Sequence, residues 1–380
     1  MKKNIRALSV LAPLALAAAT SAGATCLTSI PPMAASCTNY GPVQFYQMSK
    51  AFDGKTKAEL METAAQLAAF GVIDPIDPAD VAFIPDGVEL HNFAYIDGDQ
   101  KCELNDEECE LAIKKDFEAQ FVYFNRTFTE GAFSTMTLPF ELNTAEATGL
   151  AMVLKFNGIT KNKTTGKMEV SMKRVWDPNK KAYKADVTLE AYKPYMVKMS
   201  GTSLGINMKN VTLKASPEAD DIGDELSGWV FKGTTKGYQW VDDDASLKKD
   251  VNMRKYSYGF AAEAADGIEV GQFVKAGDGA WISPFRAFLF EQKEIGASGE
   301  LQTVRSNVGK SVPTYKLPEV MDVVIEDDDE QQTTTIGRLN TRSGEFIKAE
   351  TRVFDLKGRN VNGNAPRARG AYYGKKSVVR

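Results

Sequence analysis

Apolar and polar positions alternate strictly between residues 135 and 142, the clearest β pattern in the chain. The apolar positions of this run are Met136, Leu138, Phe140 and Leu142. Successive side chains of a strand point to opposite faces, so the run predicts a strand with one buried face and one wet face. Pro139 cannot donate a backbone hydrogen bond, which favours an edge or strand-end position.

A second run precedes it, at residues 122–129, and Glu130-Gly131 lies between the two. Gly readily adopts positive φ, so the pattern predicts a β-hairpin over residues 123–142. Arg126 is the exception, because it falls on the otherwise apolar face of the first run. We expect its guanidinium to meet a carboxylate or backbone carbonyls, since a buried charge without a partner is costly.

Short β-prone runs cut by Gly, Pro, Asn and Asp continue through residues 119–318, and helical periodicity is rare. Examples of these runs are residues 151–156, 168–175, 195–199, 229–233 and 287–290. Frequent turn signals between short strands are typical of an antiparallel β-sandwich rather than of βαβ units. Residues 319–380 read as a separate C-terminal β module. The fold class predicted is therefore mainly β, with an antiparallel β-sandwich as its main domain.

Residues 25–118 differ from the rest and predict a small α-containing N-terminal part. Thr56 and Glu59 form a capping box in front of apolar residues at helical spacing. Gly71 suits the C′ position that ends such a helix. We therefore expect a helix here, between Thr56 and Gly71.

The first 24 residues have the pattern of an export signal. Lys2, Lys3 and Arg6 form a basic end, a 13-residue apolar run follows at 7–19, and Ala22-Gly23-Ala24 fits the cleavage rule. The run is too short to span a bilayer. We expect an exported protein that is extracellular or held at the cell surface or outer membrane without spanning a membrane.

Four cysteines in an exported chain favour disulfides. They are Cys26, Cys37, Cys102 and Cys109. Three pairings are possible, and we favour the one that joins neighbours in sequence, Cys26–Cys37 and Cys102–Cys109. Zinc is the alternative, but the spacings are not those of a finger or ribbon.

Charge argues against a nucleic-acid partner. The chain has a net charge of −4, and loss of the leader makes it −7. The exception is residues 338–380, where 11 Lys and Arg face three acids. This basic tail could be a sorting signal, a contact to an acidic surface polysaccharide or lipid, or a soluble β face.

The tail carries a recognisable order of motifs, D-L-x-G-R, then G-x-Y, then G-K-K and two valines before a basic end. The residues that carry it are Asp355, Leu356, Gly358, Arg359, Gly370, Tyr372, Gly374, Lys375, Lys376, Val378 and Val379. It resembles the C-terminal sorting modules of surface proteins from gut and rumen bacteria, some of which are cargo signals of the type IX secretion system. The segment between Tyr372 and Gly374 is shorter here than in those modules.

The middle of the chain resembles uncharacterised β-rich repeats of the same group of surface proteins. The similarity lies in the order of the motifs at residues 124–128, 137–140, 193–197, 228–233 and 282–289. The resemblance implies an exported, surface-associated β protein that the secretion machinery would recognise. It implies no activity and no cofactor.

Candidate chemistry is sparse. His91 is the single histidine and so the only candidate imidazole base, but it alternates with apolar residues and reads as a solvent-facing or hydrogen-bonded side chain. Asp97, Asp99, Asn105 and Glu108 have the spacing of a calcium loop, yet Cys102 stands where that loop needs Gly. We expect no metal and no cofactor.

The aromatic residues offer one further possibility, stacking against sugars. Those singled out are Trp229, Tyr238, Trp240, Tyr256, Tyr258 and Trp281. Large aromatics of a sandwich mostly fill the core, so the prediction depends on whether any of them face outward. The leading hypothesis is a non-enzymatic surface protein for adhesion or for binding surface, host or plant glycans. The alternatives are a glycoside hydrolase with paired carboxylates and a structural envelope component.

Overall fold

The structure is a computed structural model. It describes residues 32–100, 110–162, 165–179, 186–217, 224–226, 228–240, 257–262, 268–277, 279–291 and 317–327. It also describes short strands at residues 334–339, 346–348, 354–355, 372–374 and 377–379.

The described elements are one α-helix, short 3₁₀ turns and many strands. The helix is α1 (Lys57–Ala69), and 3₁₀ turns lie at Pro78–Val81 and Thr144–Glu146. In chain order the strands are β1 (Ala34–Asn39), β2 (Val43–Met48), β3 (Asn92–Asp97), β4 (Phe117–Ala119), β5 (Val122–Asn125), β6 (Phe133–Met136), β7 (Leu142–Asn143), β8 (Ala147–Thr148), β9 (Leu150–Lys161), β10 (Met168–Trp176), β11 (Thr188–Leu189), β12 (Tyr195–Met199), β13 (Gly205–Ile206), β14 (Val211–Leu213), β15 (Asp224–Leu226), β16 (Trp229–Gly233), β17 (Tyr238–Trp240), β18 (Ser257–Phe260), β19 (Phe273–Lys275), β20 (Ala280–Ile282), β21 (Ala287–Glu291), β22 (Val320–Asp327), β23 (Thr334–Leu339), β24 (Phe346–Lys348), β25 (Phe354–Asp355), β26 (Tyr372–Gly374) and β27 (Ser377–Val379).

The N-terminal part is a four-stranded sheet with α1 packed on it. The strand order is β1-β2-β3-β5, antiparallel except for β3 and β5, which run parallel. Thr56 and Glu59 form the predicted capping box, and Gly71 follows the helix with φ 69°. Leu60 and Ala64 of α1 pack against buried aromatic residues of β2 and β3. The predicted mainly-β fold with a small α part is confirmed.

A 12-stranded sheet forms the main body. Its path is β15-β16-β21-β18-β19-β22-β10-β9-β12-β6, with β23 and β24 added beside β22. The path curls into a nearly closed sheet, because β6 at one end comes back against β21. A hydrophobic cluster lines its inside, with Phe156, Trp229, Phe231, Tyr258 and Phe273 among its largest side chains.

A second core joins the two sheets. Val43 and Ile96 of the N-terminal sheet share one buried cluster with Val153 and Val197 of the large sheet. The two sheets therefore pack as layers over a common apolar interface, as expected when each sheet has an apolar face to bury.

The predicted hairpin over residues 123–142 is wrong. Strand β5 pairs with β3 in the N-terminal sheet, whereas β6 pairs with β12 in the large sheet. The alternation located two strands, but the second strand ends at Met136, and residues 135–140 are all buried, including Thr135 and Thr137 on the face predicted to be wet. The alternation could not identify the partners of the strands, because each partner lies far away in sequence and Gly131 turns the chain from one sheet to the other.

Candidate functional site

Arg126 lies at the point where the chain leaves β5 for β6, and it is fully buried. Its Nη1 donates to the carbonyls of Thr135 (2.8 Å) and Phe285 (3.1 Å), and its Nη2 donates to Ser134 Oγ (2.6 Å). The guanidinium carbon lies 4.4 Å from the centroid of the Phe128 ring, within cation–π distance. The prediction that Arg126 finds backbone carbonyls is confirmed.

Phe285 is the most strained residue of this contact. It is buried and has φ 57°, a left-handed conformation that is unfavourable for a bulky side chain. Its amide donates to the Thr234 carbonyl (2.8 Å), and its carbonyl also accepts from the amide of Thr137 (3.1 Å). With Arg126, these bonds hold the turn before β21 against β6.

A charged pair ties the N-terminal sheet to the same turn. Arg286 Nη2 donates to Asp99 Oδ1 at 2.7 Å, and Asp99 Oδ2 accepts from the amide of Thr127 at 2.8 Å. Gly98 allows the approach, because a Cβ there would lie 3.0 Å from the Cβ of Arg126. Asp99, Arg126, Phe285 and Arg286 are together called the Arg126 junction below.

Burial shifts the pKa values of three charged side chains at or beside the Arg126 junction. Burial raises the pKa of the Asp97 carboxyl, which also accepts from the Asp99 amide. Burial, together with the nearby Arg286 charge, lowers the pKa of the Arg126 guanidinium well below its usual value. The pKa of Arg286 is lowered by burial, and Asp99 opposes that shift.

The suggested calcium spacing does not correspond to an assembled site in the part of the chain that the structure describes. Both carboxylate oxygens of Asp99 accept hydrogen bonds from protein groups, Arg286 and the Thr127 amide. Asn105 and Glu108 lie outside the described residues. Over the described ranges there is no group of three His, Cys, Asp or Glu side chains that could hold a metal ion.

His91 forms a simple hydrogen-bonded pair. Its Nδ1 lies 2.9 Å from Asp53 Oδ1, and about half of each side chain is exposed. An imidazole oriented by a carboxylate is two parts of a catalytic triad, but catalysis also needs a nucleophile on the other ring nitrogen. This pairing and exposure match the predicted hydrogen-bonded, solvent-facing histidine.

The aromatic residues singled out for sugar stacking divide into two groups. Trp229, Trp240 and Tyr258 are buried at 5% exposure or less, inside the hydrophobic clusters. Trp281 remains partly exposed on β20. The side chain of Tyr238 and the whole of Tyr256 lie outside the described residues. Among the described side chains of this set, Trp281 is therefore the candidate for stacking against a sugar.

Trp281 has two neighbours that sequence reasoning did not connect with it. Strands β17 and β20 pair antiparallel, and Gln239 is the register partner of Trp281. The outer edge of the indole lies against Gly237. The cross-strand register was the missing information, since nothing in the local sequence links position 239 to position 281. Gly237, Gln239 and Trp281 are called the Trp281 platform below.

The cysteine and tail residues are only partly described. Cys37, on β1, is disulfide-bonded. Cys26, Cys102 and Cys109 lie outside the described residues, so the favoured pairing stays a prediction.

Five of the eleven residues that carry the tail motif lie on described strands. Asp355 of β25 pairs with Tyr372 of β26, and Val378 and Val379 of β27 pair with β26 in the same three-stranded antiparallel sheet, which also contains Gly374. The other six residues of that set lie outside the described ranges, and they are Leu356, Gly358, Arg359, Gly370, Lys375 and Lys376.

Comparisons with known proteins find no matching family model, no similar curated protein and no similar solved structure. The resemblance of residues 120–380 to bacterial surface proteins therefore stays a prediction. Within the described ranges, none of the helical segments has the length and apolar character needed to cross a membrane.

Proposed function

We propose that the protein is an exported, non-enzymatic protein of the cell surface or outer membrane that attaches to glycans. The export-signal pattern of residues 1–24 and the sorting-like tail motifs support the location. The observation that carries the attachment role is Trp281, a large aromatic side chain that stays partly exposed on β20. The framework behind it is fastened at the Arg126 junction, where Arg126 bonds to the turn before β21 and Arg286 pairs with Asp99.

This use of charge favours a framework over a reaction centre. A catalytic carboxylate or base must be free to reach a substrate atom within about 3 Å. At the junction Arg126 donates to backbone carbonyls of β6 and of the turn before β21, and both carboxylate oxygens of Asp99 accept from protein groups. A two-layer body of this kind offers a fixed surface on which a ligand-binding side chain can be positioned.

Attachment is tested by incubating the purified protein with immobilised plant and host glycans and with cells. We expect retention on at least one glycan with no release of soluble sugar. Release of sugar without retention would overturn the proposal in favour of a glycoside hydrolase. Neither retention nor release, with abundance in the outer-membrane fraction, would overturn it in favour of a structural envelope component.

Surface delivery is tested separately by deleting residues 352–380. We expect the shortened protein to stay in the periplasm, measured by protease accessibility on intact cells. A finer variant replaces Gly358 and Arg359 with Ala, and its control replaces Arg367 and Arg369, which lie in the same basic tail but outside the motif. Unchanged surface display of the deletion would contradict the sorting role.

A further inference from the structure

We propose that the Trp281 platform binds a neutral glycan, with a flat pyranose face stacked on the indole and Gln239 bonding to a ring hydroxyl. This inference rests on the proposed attachment to glycans and names the site and the class of sugar.

Trp281 is more exposed to water than the other tryptophans. Trp176, Trp229 and Trp240 are exposed by 6%, 3% and 5%, whereas Trp281 keeps a larger part of its surface in water. Burying a large aromatic ring is one of the strongest contributions that a side chain makes to a core. A tryptophan left at the surface beside a well-packed ribbon is therefore available to bury its remaining area against a ligand.

The strand alternation fixes the direction of the indole. Ala280 and Ile282, on either side of Trp281, pack with Trp240 and Phe288 in one small buried cluster. Successive side chains of a strand point to opposite faces, so Trp281 projects from the other face of β20. The same cluster anchors the ribbon, with the rings of Trp240 and Phe288 in edge contact at 5.5 Å.

Gly237 supports the indole from the neighbouring segment. A Cβ on residue 237 would lie 2.8 Å from Cζ3 of Trp281 and closer still to Cη2. Real Cβ atoms do not approach other atoms so closely, so only Gly lets the ring take this position. A ring held by packing loses little conformational entropy when it binds a ligand.

Gln239 supplies polar atoms on the same face. It is the direct register partner of Trp281, and directly opposite residues of an antiparallel pair share a face. Its amide offers both hydrogen-bond donors and an acceptor. An apolar surface with a few fixed polar groups is the usual composition of a small-ligand site.

The charge near the platform favours a neutral sugar. Lys236, the residue before Gly237, is ion-paired with Glu110 at 2.9 Å, so the adjacent positive charge is compensated. The net charge of −4 for the whole chain repels acidic polysaccharides at long range. A β-1,4-linked glucan is neutral and presents flat C–H faces, which suits stacking on an aromatic ring.

The experiment measures the affinity of the purified protein for cellohexaose by titration calorimetry, with polygalacturonate as an acidic comparison. We expect binding of cellohexaose and weaker binding of polygalacturonate. Trp281→Ala should lower the affinity about tenfold or more, the scale of losing one aromatic stacking partner. Trp281→Tyr should restore much of it, and Gln239→Ala should lower the affinity by a smaller factor.

Phe70→Ala is the matched control, because Phe70 is an aromatic residue of another region with 82% exposure. It should leave the affinity unchanged. Equal affinity of the wild type and the folded Trp281→Ala and Gln239→Ala variants would overturn the inference while leaving attachment intact. Absence of cellohexaose binding by a wild type that is retained on other glycans would also overturn it. Absence of retention on any glycan would overturn the proposed function itself.

Discussion

Strands β5 and β6 are separated by seven residues and yet belong to different sheets. Strand β5 runs parallel to β3 under α1, while β6 runs antiparallel to β12 in the large sheet. Buried and half-buried residues alternate along β5, whereas Thr135 and Met136, which are neighbours on β6, are both buried. Alternation thus locates the strands, and contacts distant in sequence determine which sheet a strand joins and whether both of its faces are buried.

The segment between the two strands contains the residue that the alternation could not explain. Arg126 bonds to the Thr135 carbonyl on β6 and to the Phe285 carbonyl before β21. A polar residue on a predicted apolar face is therefore informative, because it marks where the chain crosses from one layer to the other.

The largest effect is expected from Arg126→Met. Methionine preserves much of the packing volume but removes the charged donors to the carbonyls of Thr135 and Phe285 and to Ser134 Oγ, while the Phe285 carbonyl keeps its bond from the Thr137 amide. A hydrogen bond to a charged group contributes about 1.5–3 kcal/mol, so we expect a loss of about 2–5 kcal/mol in the free energy of unfolding. Chemical denaturation measures it.

Lys198→Met is the control for that substitution. Lys198 lies on β12 and also places its cation near a ring, 5.7 Å from the centroid of Phe133, but it is partly exposed. Its loss should change the stability by less than about 1 kcal/mol. Equal effects of the two substitutions would show that Arg126 is no special tie between the layers.

The next effect is expected from Thr135→Val. The hydroxyl of Thr135 donates to the Ala287 carbonyl and accepts from the Ala287 amide, both at 3.0 Å, so it bridges β6 to β21 where no ladder pairs them. Valine has the same shape without the hydroxyl, and we expect a loss of about 1–3 kcal/mol in the free energy of unfolding. Thr127→Val, at an exposed position before β6, should stay within about 0.5 kcal/mol. A Thr135→Val protein as stable as the wild type would contradict the bridge.

Local signals were sufficient for the elements and insufficient for their arrangement. The capping box at Thr56, the strands at Tyr195–Met199 and Trp229–Gly233, and a partner for Arg126 follow from neighbouring residues. The parallel pairing of β3 with β5 and the return of β6 to β21 depend on contacts across long loops. Local propensity contains no information about those contacts.

The candidate site shows the same limit. The aromatic composition put Trp281 among six candidates, and strand alternation alone could not separate it from Trp240, which is buried. The separation needed the pairing of β17 with β20, which gives Trp281 its neighbour Gln239. Asp99 and Arg286 are 187 residues apart, and no sequence motif connects them.

A smaller effect is expected from Asp99→Asn. The substitution keeps an oxygen acceptor for the Thr127 amide but removes the charge that pairs with Arg286. Both side chains are partly exposed, at 37% and 24%, so solvent screens the pair. We expect a loss of about 0.5–1 kcal/mol in the free energy of unfolding, reduced further in 1 M NaCl. A loss as large as that of Arg126→Met would mean that the charge pair, and not the carbonyl bonds, joins the layers.

The smallest effect is a pH dependence at Asp97, which ends β3 beside the Arg126 junction. Burial raises the pKa of its carboxyl in the folded state. The protonated form therefore favours folding, and this contribution is complete below the unfolded pKa of about 3.9 and is lost as the pH rises through the higher folded pKa. The stability of the wild type relative to Asp97→Asn should thus fall as the pH is raised from below 4 towards neutrality.

The stability of the wild type relative to Asp116→Asn should have the opposite pH dependence. The amide of Ala215 lowers the pKa of the Asp116 carboxyl, so its contribution is present at neutral pH and is lost as the pH falls. Urea unfolding of the three proteins at several pH values between 3.5 and 7 measures both trends. The contrary result is that the stability of the wild type relative to Asp97→Asn and relative to Asp116→Asn changes in the same direction with pH. Asp97 would then not be a carboxyl desolvated by the packing of the two layers. The boundary between the layers would be more open to water than the burial of Arg126 implies.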